Sequence, residues 1–81
     1  MLSDSEIEAL ISKKVNALTG KKIASPHDEL VASGILTSIT MAELAVELEK
    51  TFFISLTFME VCKENFASVA TLKTLVLKKL R

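Results

Sequence analysis

The sequence predicts an all-α fold, a four-helix bundle with a long loop between helices 1 and 2 and a short third helix. Three observations carry this reading. A serine or threonine stands just before each apolar run: Ser3, then Thr37 or Ser38, then Thr57, then Ser68. A short side-chain oxygen at such a place accepts a bond from a free backbone N–H at a helix start. Within the runs, apolar residues recur at spacings of three and four. The one stretch with strand character, Phe52-Phe53-Ile54-Ser55-Leu56, has no second strand pattern to pair with and is read as loop.

The first helix starts near Ser3, where Ser3-Asp4-Ser5-Glu6 is a capping box with Glu6 placed to reach back to the cap. Ile7, Leu10, Ile11, Val15 and Leu18 form its apolar stripe, Lys13 and Lys14 lie toward the other side, and Gly20 after Thr19 is the left-handed stop. Residues 21–36 are a long connection, broken at Ser25-Pro26 because proline disfavours helical geometry in the residue before it. Ile23, Leu30, Ile35 and Leu36 are expected to pin this loop to the core. A loop of this length in a small protein is usually functional.

The second helix runs from about Ser38 to Thr51. Turning about 100° per residue, Met41, Leu44, Leu48 and Phe52 share one side, with Ala45 at its edge. That is a core stripe. Roughly opposite lie Ile39, Ala42 and Val46, flanked by Glu43 and Lys50, where a surface helix would normally be polar. Either a second neighbour buries these residues, or they are scattered surface apolars, or they are a docking strip beside Ser38.

Phe52, Ile54 and Leu56 are expected to anchor the following loop in the core. Thr57 and Glu60 make another capping box, opening a short third helix from Phe58 to Lys63 or Glu64, with Val61 and Cys62 inward. Phe58 and Met59 either fill the core or widen an apolar lip beside the second helix. Ser68 caps the fourth helix, Val69 to about Leu80. Its Leu72, Leu75, Val76 and Leu80 face inward, and Lys73, Lys78, Lys79 and Arg81 are solvated.

Composition narrows the function. The 81 residues suit one domain, and a 49% hydrophobic fraction argues against disorder. Ten basic and ten acidic residues cancel, so no nucleic-acid surface is indicated, and partners are expected to rely little on long-range steering. The single cysteine, Cys62, rules out an internal disulfide and is read as a small buried hydrophobe. The single histidine, His27, is read as an exposed loop residue without companions for metal or catalysis. No secretory signal is evident and no apolar run is long enough to cross a membrane, so a reducing cytoplasm and a monomer are the expectation. No acid–base pair, metal cluster or glycine-rich phosphate loop is present, and a serine without a base is a poor nucleophile, so the chain is not expected to be an enzyme.

The centre of the sequence is Gly34-Ile35-Leu36-Thr37-Ser38-Ile39-Thr40-Met41-Ala42-Glu43-Leu44. Gly34 supplies a turn, and Ser38 stands where a turn becomes a helix, at the end of the helix whose dipole and unpaired N–H groups favour anions. This stretch resembles the prosthetic-group site of the acyl carrier and peptidyl carrier protein superfamily, with the Gly34-to-Ser38 spacing closer to D-alanyl-type carriers. Asp28-Glu29-Leu30 and the run from Glu64 to Leu72 also resemble carrier sequences, so the likeness spans nearly the whole chain.

The resemblance implies a fold of acyl-carrier-protein type, with residues 1–81 as a single carrier domain. It implies 4′-phosphopantetheine, delivered from coenzyme A, on Ser38. Thr37 would be part of the same cofactor site, where the family usually has aspartate; threonine keeps a cap oxygen and loses a charge. Ile39, Ala42, Glu43 and Val46 would form the partner-docking face. The implied partners are a phosphopantetheinyl transferase and acyl-loading ligase or synthase enzymes of fatty-acid, polyketide or related biosynthesis, between which an acyl or aminoacyl thioester is passed. The alternative is an unmodified carrier-fold interaction module, in which Ser38 is only a helix cap. Ser38→Ala separates the two.

Overall fold

A computed structural model describes residues 2–81 and is all-helical, with no strand among them. Its elements are α1 (Asp4–Thr19), α2 (Ser38–Phe52), a 3-10 turn (Phe58–Glu60) and α3 (Val69–Leu80). Each α-helix begins on a reciprocal cap: Ser3 with Glu6, Thr37 with Thr40, and Ser68 with Thr71. α1 ends on Gly20 at φ 72°, a left-handed geometry that glycine takes without a Cβ penalty.

α1 packs against both α2 and α3. The end of the molecule that gathers Leu2, Asp4 and Ile7 also gathers Thr51 and Phe52 of α2 and Leu77 and Leu80 of α3. α1 therefore runs antiparallel to both partners, and the start of α2 lies at the far end. The core is built from Ile7, Ile11 and Val15 of α1, Met41, Leu44 and Leu48 of α2, and Val69, Leu72, Leu75 and Val76 of α3. Leu30, Leu36 and Phe66 enter it from the connections. Leu10 and Leu18 pack only at its margin, and Leu80 is exposed at the end of α3. Two of the lysines expected to be solvated are paired: Lys73 with Glu8 at 2.9 Å and Lys79 with Glu60 at 2.8 Å.

The long loop is fixed rather than draped. The Leu30 N–H donates to the Ala67 carbonyl at 2.7 Å and the Ala70 N–H to the Pro26 carbonyl at 2.9 Å, so the loop is sewn to the entry of α3. Leu30 and Leu36 are buried as expected, while Ile23 and Ile35 are only partly so.

The short third helix is corrected. Thr57 and Glu60 do form their capping box, but the helix stops after one 3-10 turn. To continue as an α-helix, the Glu60 carbonyl would have to accept from the Glu64 N–H. It accepts instead from the Cys62 N–H at 3.1 Å and the Asn65 side-chain amide at 2.9 Å, and Val61 leaves helical geometry. The chain from 61 onward then turns to bury Phe66. The molecule thus has three α-helices among the described residues, not four.

Candidate functional site at the start of α2

The approach to α2 is set by a buried residue and a turn. Gly34 adopts φ 83°, and its N–H donates to the Val31 carbonyl at 3.0 Å. Leu36, buried, donates its N–H to the Leu30 carbonyl at 2.8 Å. With Leu36 held inside, Thr37 and Ser38 emerge at the surface immediately after it.

Thr37, not Ser38, is the cap. Its Oγ1 accepts from the Thr40 N–H at 3.2 Å, and the Thr40 Oγ1 accepts from the Thr37 N–H at 2.7 Å. Ser38 is the first helical residue and is exposed. Among the described residues its hydroxyl has no hydrogen-bond partner, and Ser38 and Ile39, the first two residues of the helix, have N–H groups with no intrahelical acceptor. The first turn of α2 carries no acidic residue. A phosphodiester on the Ser38 oxygen would meet free N–H donors and the positive end of the helix dipole, with no carboxylate in that turn to repel it. The residues present fit such a group.

Ser38 borders a groove of about 440 Å³. One wall is α2, through Met41, Ala42, Ala45 and Glu49; the other is the following connection, through Leu56, Thr57, Phe58 and Val61. Two carboxylates hold that second wall. Glu49 Oε2 accepts from the Leu56 N–H at 2.8 Å. Glu60 accepts from the Thr57 N–H at 2.9 Å and pairs with Lys79 on α3. The Lys79 ammonium, then the Thr57 N–H, holds the Glu60 carboxyl below its ordinary value. Sequence reasoning did not find Glu49 or Leu56 as parts of the site, because their contact spans seven residues across a helix end and leaves no periodic trace.

The structure leaves Ile39, Ala42, Glu43 and Val46 all exposed, so no second neighbour buries the strip. Ile39 is 72% and Val46 46% exposed. Phe58 and Met59, at 91% and 81%, do not fill the core; they are an apolar lip, with Phe58 lining the groove. His27 is exposed in the loop, and Cys62 is a partly buried free thiol rather than a fully buried one. Among the described residues there is no cluster fit to hold a metal ion, and no helix is long and apolar enough to cross a membrane.

Neither the curated proteins nor the solved structures compared with this chain give a match. A family model for the phosphopantetheine attachment site matches residues 5–76, from the first turn of α1 to the last turns of α3. With a match over nearly its whole length and an exposed serine at the head of α2, the chain belongs to the phosphopantetheine attachment family, whose cofactor is covalently bound 4′-phosphopantetheine.

Proposed function

We propose that this chain, residues 1–81, is a single carrier domain of the acyl or aminoacyl type and that Ser38 is its attachment residue. The observation that carries the reading is the exposed, unpartnered Ser38 hydroxyl at the start of α2, inside a family match that spans it. The chain supplies no base for this hydroxyl, so a phosphopantetheinyl transferase has to remove its proton. The Ser38 oxygen then bonds to the pantetheine-side phosphorus of coenzyme A as the bond to adenosine bisphosphate breaks. Once attached, the group supplies a terminal thiol able to hold a carboxylic acid as a thioester.

The chain's own task is positional. Leu36 and the Thr37–Thr40 cap fix the backbone at Ser38, so the arm starts from a rigid point. Thr37 does this without the charge of the aspartate usual at its position. Ile39, Ala42, Glu43 and Val46, exposed beside Ser38, are the docking face for the transferase and for acyl-loading ligase or synthase enzymes. Weak, exchanging contacts suit a protein that must visit several enzymes. The pathways are those of fatty-acid, polyketide or related biosynthesis in the cytoplasm.

The test is intact mass after incubation with coenzyme A and a broad-specificity phosphopantetheinyl transferase. The expected result is a gain of one phosphopantetheinyl group, absent in Ser38→Ala. An unchanged mass with several transferases overturns the reading and leaves an unmodified interaction module.

A further inference from the structure

We propose that this chain pairs with a second copy of itself through the groove at the pole opposite Ser38, the Phe53 ring of each copy seated in the groove of the other. The pairing does not depend on the reading of Ser38 and holds for the unmodified chain.

This second groove, of about 360 Å³, lies where the start of α1 meets the ends of α2 and α3. Ile7 and Phe52, both buried, form its floor. Leu2, Phe53 and Leu80 also line it, and all three are large hydrophobics that the molecule leaves exposed. An apolar cavity of about 150 Å³ is enough to hold benzene, so this groove has room for an aromatic ring from outside. Such a ring stands beside it. Phe53 ends α2 at φ 55° and ψ 48°, where glycine is the usual residue and a Cβ adds strain. Its ring is almost wholly exposed and gains no packing within its own copy. The fold of one copy therefore gives no reason for phenylalanine here. A projecting ring next to an apolar groove is self-complementary under a two-fold axis, because each ring then enters the other groove.

Charge singles out a second copy as the occupant. Asp4 and Arg81 line the same groove, and among the described residues neither has an ion-pair partner. A two-fold axis passing between them sets each Asp4 against the Arg81 of the other copy. A partner of one sign would be attracted by one of these residues and repelled by the other, and an anionic lipid surface would meet Asp4. The chain's formal net charge is zero, so two copies approach without long-range repulsion. Because α2 starts at the far end, pairing here leaves both Ser38 residues and the strip beside them open.

The dimer is weak. An aromatic side chain buries roughly 150–250 Å², so two rings and the two grooves that receive them bury about 600–1,000 Å² in all. That is below the ~1,200 Å² of a stable interface and sets a Kd on the order of 0.1 mM. The monomer expected from the sequence is then the dilute form, and unfolding measured at about 10 µM reads a single copy.

The experiment is sedimentation equilibrium of the full chain from about 10 µM to about 1 mM, spanning that Kd. The proteins are wild type, Phe53→Gly, Phe58→Ser, Arg81→Asp and the double variant Asp4→Lys/Arg81→Asp, with circular dichroism to check that each folds as wild type. Phe53→Gly relieves the left-handed backbone, so lost pairing cannot be traced to a lost fold. Wild type is expected to move toward twice the monomer mass as concentration rises. Phe53→Gly should weaken association at least about tenfold, while Phe58→Ser, at the groove beside Ser38, should stay within about twofold of wild type. Arg81→Asp should weaken it about threefold in low salt, and adding Asp4→Lys should restore it. A wild type that stays monomeric throughout overturns the proposal; if that monomer pellets with phosphatidylcholine vesicles and Phe53→Gly does not, the groove belongs to a lipid surface instead. Pairing kept in Phe53→Gly, or lost in Phe58→Ser, also overturns it, and a double variant weaker than Arg81→Asp overturns the Asp4–Arg81 arrangement. None of these outcomes touches the carrier reading, which the mass gain on Ser38 decides.

Discussion

Phe53 offers a sharp test of the backbone reasoning. It ends α2 in left-handed geometry, φ 55° and ψ 48°, the only non-glycine residue with positive φ among those described. Its ring is 93% exposed, so packing returns almost nothing for the strain. A residue with a Cβ in this region costs about 1–2 kcal/mol relative to ordinary helix geometry. Glycine removes that cost but frees the unfolded chain, which takes back roughly 0.4–1 kcal/mol. Phe53→Gly is therefore expected to stabilise the fold by about 0.5–1 kcal/mol, a rise in Tm of roughly 2–8 °C for a chain this small. Phe53→Ala keeps the strain and loses only an exposed ring, so it should sit within about 0.5 kcal/mol of wild type. Thermal and urea unfolding followed by circular dichroism measure both. If Phe53→Gly is no more stable than wild type while Phe53→Ala is destabilised by more than 1 kcal/mol, the ring is packing against the fold and the reasoning fails.

Other expectations follow from the same structure. Thr37→Ala removes the cap on Thr40 and should lower stability by about 1 kcal/mol, whereas Thr37→Asp keeps a cap oxygen and places a charge favourably on the dipole, gaining roughly 0.3–1 kcal/mol in low salt. Urea midpoints of the two variants against wild type should straddle it; both falling on one side contradicts the assignment of Thr37 as cap. Leu44→Ala, at a fully buried site on α2, should cost about 2–5 kcal/mol, a large share of what an 81-residue chain has to lose. A loss under 1 kcal/mol in urea unfolding would mean the helix is not seated as described. Glu6, held by the Ser3 N–H and then its hydroxyl, and Glu60, held by Lys79 and then Thr57, both have carboxyls below the ordinary 4.5. Their contribution is full above that value and is lost as pH falls through the depressed folded values. Replacing both by Gln should flatten the decline of the urea midpoint below pH 4.5, and an unchanged slope would show the pairs do not matter.

The site depends on its connections more than on its helices. α2 alone would present a serine at its head and an apolar strip on its flank. What turns the flank into a groove is the return of residues 56–61 alongside it, and that return is pinned at two points by carboxylates, Glu49 on Leu56 and Glu60 on Lys79. Of the two, only Glu60 is ion-paired; Glu49 accepts a neutral backbone N–H and keeps its charge beside the groove. Because one contact reaches α2 and the other α3, the position of that wall is set by both helices together.

The parts legible in the sequence are those decided within four residues. The caps at Ser3, Thr57 and Ser68 each rest on a contact at spacing three, so they stand where the sequence puts them; at α2 the sequence offers Thr37 or Ser38 and the structure has Thr37, and α3 spans the expected Val69 to about Leu80. The emergence of Ser38 was legible for the same reason, since turn, cap and helix start adjoin. The third helix was not. Its capping box is intact, yet its continuation is decided beyond it, where Asn65 and the Cys62 N–H take the Glu60 carbonyl. Phe66 shows the same limit from the other side. It sits in an irregular segment with no periodicity to mark it, yet it is fully buried. Its N–H bonds back to the Cys62 carbonyl, so the turn that ends the 3-10 segment is also the turn that delivers the ring to the core. A local pattern can propose a helix after Thr57; only the competition for one carbonyl and one aromatic ring decides that the chain stops after a single turn.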